Sequence, residues 1–136
     1  MKKYSFVLVL FVVVICLFAF VKSNKEEIKE ELVMDYKQIS SSEAKKVFET
    51  KGDYIILDVR RSDEYASGHI KGAINIANED ILNVDLKKLP DKNQTIYVYC
   101  RTGRRSKEAA EKLVALGYKN IIEFGGIVEY TGEIEK

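Results

Sequence analysis

Seven consecutive residues, Cys100-Arg101-Thr102-Gly103-Arg104-Arg105-Ser106, put one thiol beside three arginines and a glycine. A run rich in β-branched and aromatic residues, Gln94-Thr95-Ile96-Tyr97-Val98-Tyr99, leads directly into the cysteine. After the loop, Ala109, Ala110, Leu113, Val114 and Leu116 mark the buried face of a helix that Gly117 terminates. A thiol between a strand end and a helix start faces backbone N–H groups that have no partner in the first helical turn, and these favour negative charge. Arg101, Arg104 and Arg105 add permanent positive charge, and Gly103 lets the backbone curl without a side chain in the way. One pKa unit corresponds to roughly 1.4 kcal/mol, so even a modest field converts Cys100 from mostly thiol to mostly thiolate at neutral pH. The expectation is a nucleophile with an anion cradle.

Two reactions use such a cradle: attack on a phosphate ester, and attack on a sulfane sulfur such as the outer sulfur of thiosulfate. Spacing separates them. Tyrosine-phosphatase loops place an arginine where this chain has Ser106, and Arg105 comes one residue too early. A shorter loop closes a tighter ring of N–H groups, better sized for one extra sulfur on the cysteine than for a tetrahedral phosphate.

The elements that must position this loop alternate along the chain. Residues 36–39 form a short strand candidate, and Ser40-Ser41-Ser42-Glu43 supplies a capping box for a helix with Ala44, Val47 and Phe48 on one face, ended by Gly52. Tyr54-Ile55-Ile56-Leu57-Asp58-Val59 is a continuous apolar run ending in a carboxylate, as expected of a strand buried on both faces of a parallel sheet. Asp58 then sits at the carboxyl edge, where open α/β sheets keep functional groups. Ser62 caps a short helix through Asp63, Glu64 and Tyr65 that Gly68 stops, and residues 69–76 follow as a turn and a short strand. Residues 78–89 have a mixed helical rhythm closed by Pro90. Residues 120–124 make a last strand, which Gly125-Gly126 breaks before a short C-terminal segment with Val128 and Tyr130. This alternation predicts an α/β fold with a parallel sheet covered on both faces.

Composition bounds the rest. The chain has 136 residues, net charge +1, 46% apolar and 32% charged residues, neither basic enough for nucleic acid nor acidic enough for disorder. Met1-Lys2-Lys3 precedes an uncharged apolar run over residues 6–21, the pattern of a secretory signal or a short anchor over residues 1–23. As a helix that run spans about 24 Å, short of the ~30 Å hydrocarbon core, which favours a cleavable signal with its cut after Ser23. Ile15 stands before Cys16 where a lipid-attachment site wants a small residue. Residues 24–35 read as a charged linker with some helical character, and residues 36–136 as one domain. The lysines stay inside and send the domain to the outer face of the membrane, so the expected location is extracytoplasmic, with membrane contact only through the N-terminal segment. With Cys16 in the leader, Cys100 is the single thiol of the folded part, a state unusual in an oxidising compartment.

The domain resembles the single-domain rhodaneses, a family of sulfurtransferases. The resemblance runs from about residue 36 to 130 through Ile56-Leu57-Asp58-Val59-Arg60, Glu64-Tyr65, Gly68-His69-Ile70-Lys71-Gly72-Ala73-Ile74-Asn75-Ile76, the Cys100 loop, and Gly125-Gly126. It implies a five-stranded parallel sheet flanked by helices on both faces and a six-residue active loop from Cys100 to Arg105. It departs where the family often has a tryptophan after the double glycine and this chain has Tyr130. The implied reaction is a two-step exchange. Cys100 thiolate takes the outer sulfur of a donor such as thiosulfate as a persulfide, and cyanide, a thiol or a thiol protein then removes it. Loop N–H groups from Arg101 to Arg105, with Thr102 and Gly103, stabilise the persulfide, and the arginines draw in the donor. No metal or organic cofactor is called for. The alternatives are a phosphatase or arsenate reductase on the same fold, and a non-catalytic module that carries or senses persulfide.

Other polar residues have structural readings. Asp58 and Arg60 read first as a structural ion pair or a turn-closing carboxylate, and second as supporting residues that orient the loop from a neighbouring strand end. His69, the only histidine, falls in a turn motif rather than in the chemistry. Glu64 and Tyr65 are expected to cap and pack.

Overall fold

The computed structural model describes residues 2–30, 35–83 and 85–136, which divide into one unit ending at Met34 and another covering Asp35–Lys136. The first holds a single helix, α1 (Lys2–Glu30). Its side chains over residues 7–22 are all exposed, although most are apolar. Among the described residues, no helix is long and apolar enough to cross a membrane. The linker expected over residues 24–35 continues α1 as far as Glu30, and its residues 31–34 lie outside the described part.

The second unit runs β1 (Lys37–Gln38), α2 (Ser41–Phe48), β2 (Tyr54–Asp58), α3 (Ser62–Ser67), β3 (His69–Ile70), β4 (Ile74–Asn75), β5 (Thr95–Cys100), α4 (Arg104–Ala115), β6 (Asn120–Gly126) and β7 (Ile134–Glu135). Five strands form one sheet in the order β1-β6-β5-β2-β4, every neighbouring pair parallel. β5 lies at its centre, and both its faces are covered. Ile96, Val98 and Cys100 join Leu57, Val59, Ala109, Ala110 and Leu113 in one apolar cluster on the α4 side. Tyr97 and Tyr99 join Ile56, Phe124 and Ala44 on the α2 side. Burial on both faces explains why β2 and β5 read as continuous rather than alternating apolar runs.

Local sequence sets most element starts. The Ser40 N–H donates to Glu43 Oε2 at 2.8 Å and the Glu43 N–H returns to Ser40 Oγ at 3.2 Å, closing the capping box of α2. α2 ends at Phe48, ahead of Gly52. α3 begins at Ser62 rather than being capped by it: the Arg61 N–H is satisfied by Glu64 Oε2 at 3.1 Å.

Three stretches differ from their sequence expectation. Residues 78–89 do not make a helix. A 3-10 turn, Asn78–Asp80, opens a series of turns that buries Ile81 and Leu89, and Val84 lies outside the described residues. Asn78 is diverted from a helical ladder: its side chain bonds Glu108 and Lys112 of α4. Residues 69–76 yield two strands in different sheets, because β3 pairs antiparallel with β7, and two residues at the chain end carry no alternation to announce it. β6 extends through Gly126 instead of breaking at Gly125, with a register shift against β5 between Val98 and Cys100.

Candidate active site

Cys100 is the last residue of β5 and α4 starts four residues later, so the thiol sits at the carboxyl edge of the sheet beneath a helix N-terminus. Gly103 occupies the N-cap with φ 116°, a backbone that L side chains rarely adopt. This turn folds the loop back over the sulfur, and the Gly103 N–H donates to Cys100 Sγ at 3.0 Å. The thiol is only 1% exposed. Burial pushes its pKa up, but the Ser106 hydroxyl and the N–H groups of Ser106, Gly103 and Thr102 more than offset it, leaving the thiol below its ordinary value.

The arginines divide. Arg105 makes a forked pair with Glu64, Nη1 to Oε2 at 2.8 Å and Nη2 to Oε1 at 3.0 Å, which holds the Glu64 carboxyl down at about 2. Arg104 turns along its own helix to Glu108 at 2.8 Å. Arg101 is exposed and makes no ion pair among the described residues. With Thr102, these three arginines and Arg61 line a cleft of about 410 Å³ that also contains Glu64 and Glu79. Four guanidinium groups against two carboxylates leave it net positive, a setting that attracts small anions.

Asp58 and Arg60 form a buried ion pair at 2.6 Å. The Tyr99 hydroxyl donates to Asp58 Oδ2 at 2.6 Å, Arg60 Nη2 donates to the Gly68 carbonyl at 2.7 Å, and the Ile70 N–H donates to the Tyr99 oxygen at 3.1 Å. Burial first and the Asp58 charge second push the Tyr99 phenol far above its ordinary range. Tyr99 faces away from the cluster that holds Cys100, so this network fixes the β2 and β5 ends without touching the thiol. His69 stacks on Tyr65 at 3.8 Å between ring centroids, and its Nε2 lies 3.4 Å from Glu135. The first contact ties β3 to α3 and the second lies within the β3–β7 ribbon.

Two residues matter more than their sequence context announces. Glu64 anchors Arg105 in addition to capping α3. Glu123, 2% exposed on β6, accepts the Ser106 hydroxyl at 2.6 Å. Its signal in the sequence is an acid inside the apolar run Ile121-Ile122-Glu123-Phe124. Ser106 itself is fully buried and 3.5 Å from Cys100 Sγ. Among the described residues, no group of three or more His, Cys, Asp or Glu side chains is arranged to hold a metal ion.

Known proteins resemble this chain in sequence and in fold. The chain is 39% identical over 71 residues, 52% of its length and 68% of the relative's, to thiosulfate sulfurtransferase PspE of Escherichia coli (strain K12). It is 36% identical over 93 residues, 68% of its length and 84% of the relative's, to thiosulfate sulfurtransferase GlpE of Coxiella burnetii. Of other, longer relatives, adenylyltransferase and sulfurtransferase proteins of yeasts, it spans about a quarter. A solved E. coli rhodanese, described with anions, superposes with a TM-score of 0.57 at 35% identity, over 61% of this chain and 98% of that one. Residues 40–133 match the family of rhodanese-like domains, a span that contains the capping serine of α2, the Asp58 network, the whole thiol loop and the double glycine, and with sulfurtransferases among its relatives this chain belongs to that family.

Proposed function

We propose that the protein is a sulfurtransferase that takes the outer sulfur of a small anionic donor such as thiosulfate onto Cys100 and hands it to a thiol or cyanide. The observation that carries this reading is the 3.0 Å contact from the Gly103 N–H to Cys100 Sγ, made by a loop that returns to its own cysteine at a helix N-terminus. Cys100 thiolate attacks the outer sulfur of thiosulfate, the sulfur–sulfur bond of the donor breaks, and the electron pair leaves with sulfite. A persulfide anion remains, its outer sulfur within the ring of loop N–H groups. The acceptor then attacks that sulfur and returns the thiolate. The net positive cleft of Arg61, Arg101, Arg104 and Arg105 draws in the dianion. Against a phosphate ester stands Ser106, buried and committed to Glu123, where a phosphatase loop needs an arginine.

The lysines ahead of the apolar run in α1 support export or outer-face anchoring of the domain, and N-terminal sequencing of the mature protein distinguishes a cut after Ser23 from a retained anchor.

Intact-mass measurement after incubation with thiosulfate tests the chemistry. One added sulfur atom is expected on the wild-type chain and none on Cys100→Ser, with thiocyanate formed when cyanide follows. No adduct with any sulfane donor sinks the reading. An adduct that cyanide and small thiols leave in place, and that only a particular protein thiol discharges, points instead to a persulfide carrier.

A further inference from the structure

Glu123 is buried, and among the described residues no cationic side chain lies within ion-pair distance of it. Its Oε1 accepts the Gly125 N–H at 2.8 Å and the Ser106 hydroxyl at 2.6 Å, and its Oε2 accepts Gln38 Nε2 at 3.2 Å. The same Ser106 Oγ lies 3.5 Å from Cys100 Sγ. Thiol, hydroxyl and carboxylate, from β5, α4 and β6, therefore form one line. The other groups that face it are the Tyr36 phenol, whose pKa is raised by burial, then by Glu111 and Glu123, and Arg105, which feels the Cys100 charge.

A hydroxyl has a single hydrogen. Two oxygens 2.6 Å apart need a hydrogen between them. When Ser106 keeps its hydrogen toward Glu123, only a thiol that donates its own hydrogen fits at Sγ. When Ser106 turns its hydrogen to a thiolate, the hydrogen between Oγ and Oε1 has to sit on Glu123. The hydroxyl's other acceptors, the Gly103 and Gly125 carbonyls at 2.9 and 3.3 Å, are more distant and leave the Oγ to Oε1 contact unfilled. A thiolate and a carboxylate charged together would also be two like charges in a buried site.

We propose that Cys100, Ser106 and Glu123 form a proton relay in which the buried carboxylate takes up the proton released when Cys100 becomes the nucleophile. The S–H bond breaks as its hydrogen bonds to Ser106 Oγ, and the hydrogen formerly on Ser106 passes to Glu123 Oε1. The negative charge moves from Glu123 to Cys100, and the proton count of the site is unchanged. Glu123 is thus a positioning residue that acts through Ser106, which afterwards points its hydrogen at the thiolate. The relay rests on Cys100 being the nucleophile of the reaction above.

The pH dependence of alkylation of the full chain by iodoacetamide, an uncharged reagent, tests the relay without using sulfur transfer. In Glu123→Gln the amide oxygen, pinned by the Gly125 N–H, keeps the Ser106 hydrogen and cannot take a proton. The thiolate loses its hydroxyl donor, and the midpoint rises by about one pH unit. Ser106→Ala raises it by a similar amount, and the double variant raises it no further than either alone. A carboxylate acting only through its charge gives the opposite sign, because its removal lowers the midpoint. A fall, no change, or additive shifts therefore overturn the relay. If Glu123→Gln fails to fold, infrared spectroscopy of the wild type decides. A carboxylic-acid carbonyl band should be present at a pH where Cys100 is thiolate and should vanish when methylthiolation neutralises the sulfur. Absence of that band under those conditions overturns the relay too. The predicted rises in the alkylation midpoint, found together with no sulfur transfer from any donor, would reject the proposed function and leave the proton transfer from Cys100 to Glu123 standing.

Discussion

Arg105 and Glu64, 41 positions apart in the chain, meet through two hydrogen bonds of 2.8 and 3.0 Å that tie the thiol loop to the first turn of α3. Arg105 first, and then the Arg61 N–H, hold the Glu64 carboxyl at about 2 against burial, which works the other way. A carboxyl whose folded-state pKa is depressed contributes stability that is complete above the unfolded value and lost as pH falls through the folded one. The denaturant midpoint of the wild type should accordingly drop between the ordinary value of 4.5 and about 2. Glu64→Gln should flatten that part of the profile and, at neutral pH, cost about 1–2 kcal/mol, the range for a partly buried charged pair. Equal profiles for the two proteins would show the pair to be idle.

Cys100 titrates in the same sense. Burial raises its pKa, hydrogen bonds headed by Ser106 lower it more, and the folded value lies below 9.0. The stability contribution is complete above the unfolded value and lost as pH falls through the folded one. Relative to Cys100→Ser, the wild type should therefore gain stability as pH rises toward 9.0. Paired urea titrations across that range measure the difference, and a gap that shrinks with rising pH would contradict the lowered value.

Gly126 is the point where β6 passes the loop. A Cβ built there meets the backbone carbonyl of Arg101 and Cα of Thr102, with no flexible side chain to move aside. Gly126→Ala should therefore displace the loop at a cost of about 1–3 kcal/mol and slow persulfide formation at least about tenfold, the effect of small misplacement on an oriented nucleophile. Gly117→Ala, which meets nothing within 4 Å but takes φ 93°, should lose stability without losing persulfide formation per folded molecule.

Asp58→Asn leaves the Arg60 guanidinium buried without its carboxylate. Removal of one partner from such a pair costs about 3–5 kcal/mol, a large share of the roughly 5–15 kcal/mol that stabilises a domain. Chemical denaturation should show that loss, while whatever folded protein remains should still form persulfide, since the network lies on the sheet face opposite Cys100.

What the sequence reveals and hides follows from how far each interaction reaches. The thiol loop is legible because strand, cysteine, glycine turn and helix are contiguous, and the parallel sheet because burial on both faces prints unbroken apolar runs at residues 54–58 and 95–100. Ser40 and Glu43 announce α2 because a capping box is local. The relay is hidden because Glu123 meets Ser106 across 17 positions, from strand to helix, and no spacing rule links them. Arg105 reads as a free anion contact for the same reason, since Glu64 lies in a different element. Residues 78–89 mislead in the opposite direction: their apolar spacing is real, but Asn78 gives its side chain to Lys112 and Glu108.

The register shift between β5 and β6 binds loop length to the tail of the sheet. Because Gly126 pairs with Cys100 and its bare Cα leaves room for the Arg101 carbonyl, the six-residue loop and the double glycine are two halves of one fitting. On that side the loop has no room to grow, since even one Cβ added at Gly126 meets the Arg101 backbone. Under the proposed function, a loop refitted for another substrate is expected to need a change at Gly126 as well as around Cys100.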